Sequence, residues 1–192
     1  MSGFILNNNN NITMIEAETS VITRLNEDAH VRKIYNKIGE HFDATRAYTW
    51  KWIEDFTYQY SDSHTIYDIG CGSGRNLRDS PTWIGVDNSE TFINICKEKG
   101  FNVVHADMIN IPLPTESADA IISIASFHHL STEERRLQCL NEMYRILKSD
   151  GVILLSVWSI NQPKKINRQF IYGDNIVPWN KRGEIIERYY YI

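Results

Sequence analysis

Thr65-Ile66-Tyr67-Asp68-Ile69-Gly70-Cys71-Gly72-Ser73-Gly74 is the stretch on which the reading of this 192-residue chain turns. A short apolar run ends in an acid, and glycines then recur at every second position, the form of a turn between a strand and a helix. Glycine has no Cβ, so the backbone N–H groups of such a turn can approach a ligand closely. Dinucleotide-binding folds use glycine-rich turns too, so the turn alone leaves the ligand open. Asp68 narrows it, because a carboxylate two residues before the first glycine can meet a cationic group, and nicotinamide cofactors bring none to that position.

Outward from this turn, short apolar runs alternate with helical stretches: 65–69, 83–86, 101–105, 118–125 and 151–158. That alternation predicts an α/β fold with a doubly wound, mostly parallel, Rossmann-like sheet. Asp87 ends the second strand, 19 residues after Asp68, where a carboxylate can accept two ribose hydroxyls, and Asp107 ends the third, 20 residues later. Acids at three successive strand ends line the carboxyl edge of the sheet, where open α/β folds bind ligands. Together these residues resemble the class I methyltransferase pattern, whose cofactor is S-adenosylmethionine. The resemblance implies that Asp68, Gly70, Gly72 and Gly74 surround the methionine moiety, that Asp87 holds the ribose, and that Asp107 takes the adenine amino group with Met108 beside it.

Residues 1–25, with the asparagine run Asn7 to Asn11, read as a mobile tail, and 26–192 as one domain. Val31, Ile34, Tyr35, Ile38 and Phe42 have helical spacing, as do Trp50, Ile53 and Phe56. Ser131-Thr132-Glu133-Glu134 has the form of a capping box, opening a helix that puts Leu137, Leu140, Tyr144 and Leu147 on one face. Residues 159–183 hold five basic residues (Lys164, Lys165, Arg168, Lys181 and Arg182) against one acid, Asp174, and read as a basic loop of net charge +4.

The segment after the fourth strand, Ser123-Ile124-Ala125-Ser126-Phe127-His128-His129-Leu130-Ser131-Thr132-Glu133-Glu134-Arg135-Arg136, resembles a narrower group. It is similar to the eukaryotic wobble-uridine tRNA methyltransferases that esterify 5-carboxymethyluridine, which carry comparable Ser-Ile-Ala, His-His, Ser-Thr and Glu-Arg-Arg series. Thr45-Arg46 with Trp50, Val157-Trp158 with Gln162, Val177-Pro178-Trp179 and Arg188-Tyr189-Tyr190 resemble that family in the same order, from about residue 28 to 192.

The resemblance implies a carboxylate acceptor, ionised at neutral pH because such acids titrate near pH 4, so positioning matters more than a general base. Arg46 is then a clamp that can grip a carboxylate with a paired fork of hydrogen bonds. His128 and His129 contact the acceptor, or His129 instead bonds a backbone carbonyl. Trp50 is core or a stacking platform; Trp158 and Trp179 flank the basic loop and face a base. Arg135 and Arg136 pair with Glu133 or Glu134 on a solvated face, or reach phosphate. Lys164 and Lys165, with Arg168, are expected to grip a tRNA anticodon loop. The third strand, 101–106, forms the sheet edge and is expected to receive the family's small zinc-binding activator subunit, making a heterodimer. The family continues past Arg-Tyr-Tyr with a helix and two further strands, whereas this sequence ends at Ile192. Two other readings are a methyltransferase acting on a small molecule and an inactive scaffold that binds tRNA or the activator.

Composition restricts the alternatives. The chain is 42% hydrophobic and 23% charged with a net charge of -4, ordinary for a globular protein. Its longest uncharged apolar run, 151–158, is far below the roughly 20 residues of a membrane span. No secretory signal is expected, and Cys71, Cys96 and Cys139 suggest neither a disulfide framework nor a metal site. Those features fit a cytoplasmic protein, with the nucleus as a further location.

Overall fold

The computed structural model describes residues 27–46, 48–162 and 169–192; the N-terminal tail and Lys164, Lys165 and Arg168 lie outside the described residues. A π-helical turn (Asp28–Arg32) runs into α1 (Lys33–Ala44), followed by α2 (Lys51–Thr57), β1 (Ile66–Ile69), β2 (Trp83–Asp87), α3 (Glu90–Glu98), β3 (Asn102–His105) and β4 (Ala118–Ile124). After a 3-10 turn (Phe127–His129) come α4 (Glu133–Ile146), β5 (Leu147–Ser156), β6 (Asp174–Lys181) and β7 (Glu184–Tyr191). The first five strands form one parallel sheet in the order β3-β2-β1-β4-β5, the expected Rossmann-like arrangement with β3 at an edge.

β1 and β4 are central and covered on both faces, which requires near-continuous apolar runs rather than alternation. One face packs Ile66, Trp83, Ile122 and Ile124 against Ile53 of α2. The other packs Tyr67, Ile69, Val86 and Ile121 against Cys139, Met143 and Ile146 of α4. The expected face of α4 is therefore a correction: Leu137, Leu140 and Tyr144 are exposed. The helix carries two apolar stripes, and periodicity does not tell which one meets the sheet. Its cap also moves by one residue. Thr132 accepts from the Arg135 N–H, while the Ser131 N–H and hydroxyl both donate to Glu27 Oε1 at 2.6 Å.

Two further differences shape the site. The stretch after Gly70 is a series of turns, with the Gly74 N–H on the Cys71 carbonyl, rather than the first turns of a helix. The segment expected to be a basic loop carries β6, and with β7 it makes an antiparallel hairpin outside the main sheet. Its two-residue connection, Arg182 (φ 52°) and Gly183 (φ 97°), has the paired positive φ angles of the tight turns that match strand twist. No described helix is long and apolar enough to cross a membrane.

Candidate active site

One pocket opens at the carboxyl edge of the sheet. Its walls come from the Gly70–Ser73 turn, the ends of β2 and β4, Asp107 and Met108 after β3, and Tyr35 and Phe42 of α1. Arg188 and Tyr190 of β7 complete its lining. The end of β1 is tied down from below, since the Ser123 and Ser126 hydroxyls both donate to the Ile69 carbonyl, at 2.9 and 3.0 Å. Gly70 has φ +78°, and a Cβ there would lie 2.3 Å from Ser126 Cβ, so no larger residue fits. Next to it Ala125 takes a positive φ of 53°, a conformation that costs free energy for a residue with a Cβ and that concentrates at functional sites.

Asp68, two residues before Gly70, is fully buried and is not one of the residues that line the pocket, and neither of its carboxylate oxygens has a hydrogen-bond partner. Burial pushes its carboxyl up to about 7; Asn76 and Arg75 oppose the rise, but no donor completes a bond to either oxygen. A buried carboxylate in this state has an unmet demand for a cation, and an ammonium group answers it. Asp87 is different. Each of its oxygens accepts one backbone N–H, Gly72 on Oδ2 and Ser89 on Oδ1, both at 2.8 Å, which leaves one acceptor direction on each for a pair of hydroxyls. Burial raises this carboxyl too. Asp107 Oδ1 accepts from the Ile109 N–H and Oδ2 from Arg135 at 3.0 Å, while the thioether of Met108 offers an apolar side to the same end of the pocket. An orphaned acid for an ammonium, an acid with two open acceptor directions for a ribose, and a polar-apolar end for adenine together fit S-adenosylmethionine.

Gly74 does not belong to this set. It lies outside the pocket, where a Cβ would come within 2.7 Å of Phe101 and 3.0 Å of Cys96 Sγ, so its smallness serves packing. Arg135 lines the pocket but is engaged, donating to Glu27 at 2.8 Å and to Asp107. It is therefore a brace for Asp107, paired with neither Glu133 nor Glu134 and not open to phosphate. Arg136 sits outside the pocket, bonding the Leu130 carbonyl and lying 3.7 Å over the Tyr191 ring.

At the other end of the pocket, Arg46, Trp50, His129 and Trp158 line the wall. His129 Nδ1 donates to the Tyr189 carbonyl at 2.8 Å, which leaves Nε2 to accept from the Tyr35 hydroxyl at 3.0 Å. Both ring nitrogens are used, and burial holds the imidazole down to about 4, hence neutral. His128 does not reach the pocket. It is buried between His129 and Tyr190, with ring centroids 4.5 and 4.4 Å away, and burial keeps its pKa well below the usual imidazole value. Neither histidine is placed to act as a base. Trp179 also lies outside the pocket, its ring taken by the guanidinium groups of Arg46 at 5.0 Å and Arg188 at 4.9 Å rather than open to a base. Trp158 packs edge-on to Tyr190 and Phe170. Trp50 is 44% exposed, stacks beside Trp52 at 6.1 Å, and carries Arg75 4.3 Å over its face.

Tyr35, Arg75, Arg188 and Tyr190 enter the pocket without having been singled out from the sequence as site residues. The signal for Arg188 and Tyr190 lay in the β-branched and aromatic residues on either side of Arg182-Gly183 (Ile176, Val177 and Trp179 before it, Ile185, Ile186 and Tyr189 to Tyr191 after it), a hairpin pattern.

A family model described as a methyltransferase domain matches residues 67–155. The tRNA (carboxymethyluridine(34)-5-O)-methyltransferase of Arabidopsis thaliana is 40% identical over 138 residues, 71% of this chain and 34% of that protein. The Schizosaccharomyces pombe protein of the same name is 35% identical over 158 residues, 80% of this chain and 68% of its own length. The chain thus spans about a third of the Arabidopsis relative. Two solved structures share the fold. A Haloferax volcanii complex between the Trm112 methyltransferase activator and a methyltransferase matches at TM-score 0.54 and 20% identity, over 66% of this chain and 60% of that one. A SAM-dependent methyltransferase from Thermotoga maritima matches at TM-score 0.52 and 23% identity, over 64% and 59%. A relative matched along two thirds of its length at this identity supports one assignment: the chain belongs to the tRNA (carboxymethyluridine(34)-5-O)-methyltransferase family.

Proposed function

We propose that this chain is the catalytic module of a tRNA methyltransferase that converts the carboxylate of 5-carboxymethyluridine at the wobble position into its methyl ester. The observation that carries the reading is one pocket in which the Gly70–Ser73 turn and Asp87 face a cluster of arginines and aromatic rings, with the orphaned Asp68 buried two residues before Gly70. When bound, S-adenosylmethionine would supply an electrophilic methyl carbon, to which a carboxylate oxygen could bond as the sulfur leaves as a neutral thioether. Asp68 receives the ammonium, Asp87 the ribose hydroxyls, and Asp107 with Met108 the adenine.

The acceptor is already ionised at neutral pH. Its activation needs no proton acceptor, consistent with two neutral histidines whose nitrogens are occupied or sealed from the pocket. The residues at that end orient the acceptor and exclude water, and orientation alone can supply several kcal/mol. The anticodon loop is taken to enter beside Trp50 and Trp52, where the stacked indoles with Arg75 suit an unpaired base. A Trm112-type activator is taken to pair along β3, which among the described residues pairs only with β2 and stands at the edge of the sheet.

The test incubates the protein, with and without such an activator, with labelled S-adenosylmethionine and tRNA lacking the ester. Base-labile label in the tRNA is expected; label only in small metabolites overturns the proposal and favours a small-molecule methyltransferase.

A further inference from the structure

Arg188 is the only arginine among the described residues that is buried, at 2% exposure, and it has no acidic partner. Its Nε bonds nothing and its Nη1 reaches only the Tyr35 hydroxyl, at 3.4 Å. The rest of its surroundings are ring faces, Trp179 at 4.9 Å and Tyr190 at 5.2 Å. Arg46 stands on the same indole, 5.0 Å from its centre, and bonds only Thr45 Oγ1. Both guanidinium groups line the pocket. An arginine cannot shed its proton to escape burial, and a buried cation without a counter-charge is strongly disfavoured. Two such cations around one ring repel each other as well, and both burial and Arg188 work against the charge on Arg46. The arrangement is complete only with an anion between them.

We propose that Arg188 and Arg46, both held on the Trp179 ring, form the binding site for the acceptor's carboxylate, with Arg188 supplying the buried half of the clamp. This rests on the reading of the acceptor as a carboxylic acid. A carboxylate could also come from the cofactor's own methionine moiety. Arg75 suits that role better, because it is the arginine that acts on Asp68, the ammonium site, while Arg188 does not. Tyr35 completes the clamp, since its hydroxyl donates to His129 and is thereby turned to accept from Arg188.

The experiment compares two tRNAs in competition binding, one carrying the free acid at the wobble uridine and one its neutral amide. It uses wild-type protein, Arg188→Met and Arg46→Met, with S-adenosylhomocysteine affinity measured in parallel. Wild type is expected to prefer the acid by at least about 30-fold, and Arg188→Met to erase that preference with S-adenosylhomocysteine affinity within about twofold. A preference that survives in Arg188→Met overturns the assignment. Loss of S-adenosylhomocysteine binding along with it overturns it too, by placing Arg188 at the cofactor's carboxylate. Should Arg188→Met not fold, the wild-type comparison still decides, because equal affinity for acid and amide excludes a carboxylate site. Failure of the proposed function shows separately, as no base-labile methyl on the acid tRNA whatever the binding preference.

Discussion

The two ends of the pocket are built by different rules. On the side proposed for the cofactor, Gly70, Gly72, Asp87, Asp107 and Met108 line the pocket and Asp68 is buried just before them; all fall within 41 residues, and each sits near where its own strand stops. On the side proposed for the acceptor, Arg46 follows α1, Trp158 follows β5, and Arg188 and Tyr190 come from a hairpin that belongs to another sheet. Residues 142 positions apart in sequence, Arg46 and Arg188, share one indole. Strand ends in a parallel sheet are aligned by the sheet itself, so the first end needs little help from distant contacts. The second exists only when separate elements dock together.

If the ends are separable, a change at one should leave the other intact. The largest effect is expected from Asp68→Asn. Removing the charge that meets the ammonium should weaken S-adenosylhomocysteine binding by about 100-fold, from the loss of a charge-assisted contact in a buried setting, while tRNA affinity holds. The same change should stabilise the ligand-free protein. The folded pKa is raised from 3.8 to about 7, so the contribution of Asp68 to stability is present below about pH 4 and is lost as the pH rises through 7. At pH 8 the full penalty applies, and Asp68→Asn should remove on the order of a few kcal/mol of it. Denaturant titrations at pH 5 and 8 measure the difference, and equal stabilisation at both would contradict the account.

A smaller effect is expected from Arg135→Ala, which leaves Glu27 and Asp107 without their cation in a largely enclosed setting. It should cost about 2 kcal/mol in chemical denaturation, below the range for fully buried pairs because Asp107 keeps some solvent contact. S-adenosylhomocysteine affinity should fall only severalfold. The smallest is Gly183→Val in the hairpin turn, where φ is 97° and a β-branched side chain is strained by about 1–2 kcal/mol. Methyl transfer to tRNA should drop while S-adenosylhomocysteine affinity stays within about twofold. If both fall together, the two ends are coupled through the hairpin and the contrast fails.

The same contrast explains how much could be read in advance. Asp68, Asp87 and Asp107 were legible because acid, glycine turn and strand alternation are all local patterns. Even there the pattern outran the structure, since Gly74 proved to be a packing glycine against Phe101 and no helix follows the turn. On α4, the choice of Leu137, Leu140 and Tyr144 as the inner face failed because Cys139, Met143 and Ile146 offer an equally valid stripe, and only docking on the sheet selects between them. His128, Trp179, Arg135 and Arg136 were marked by residue type, but residue type does not say whether a group faces the pocket or supports what does. Trp179 carries two arginines on its ring, and Arg135 braces Asp107.

By itself, the sequence determined the parallel sheet, the three acids at its carboxyl edge and the cofactor class, because strand alternation and a glycine turn act over a few residues and need no distant partner. Only the tertiary structure decided that β7 brings a buried, unpaired Arg188 against Arg46. That contact depends on a hairpin folding back over the pocket, and no local pattern encodes where two elements separated by most of the chain will meet.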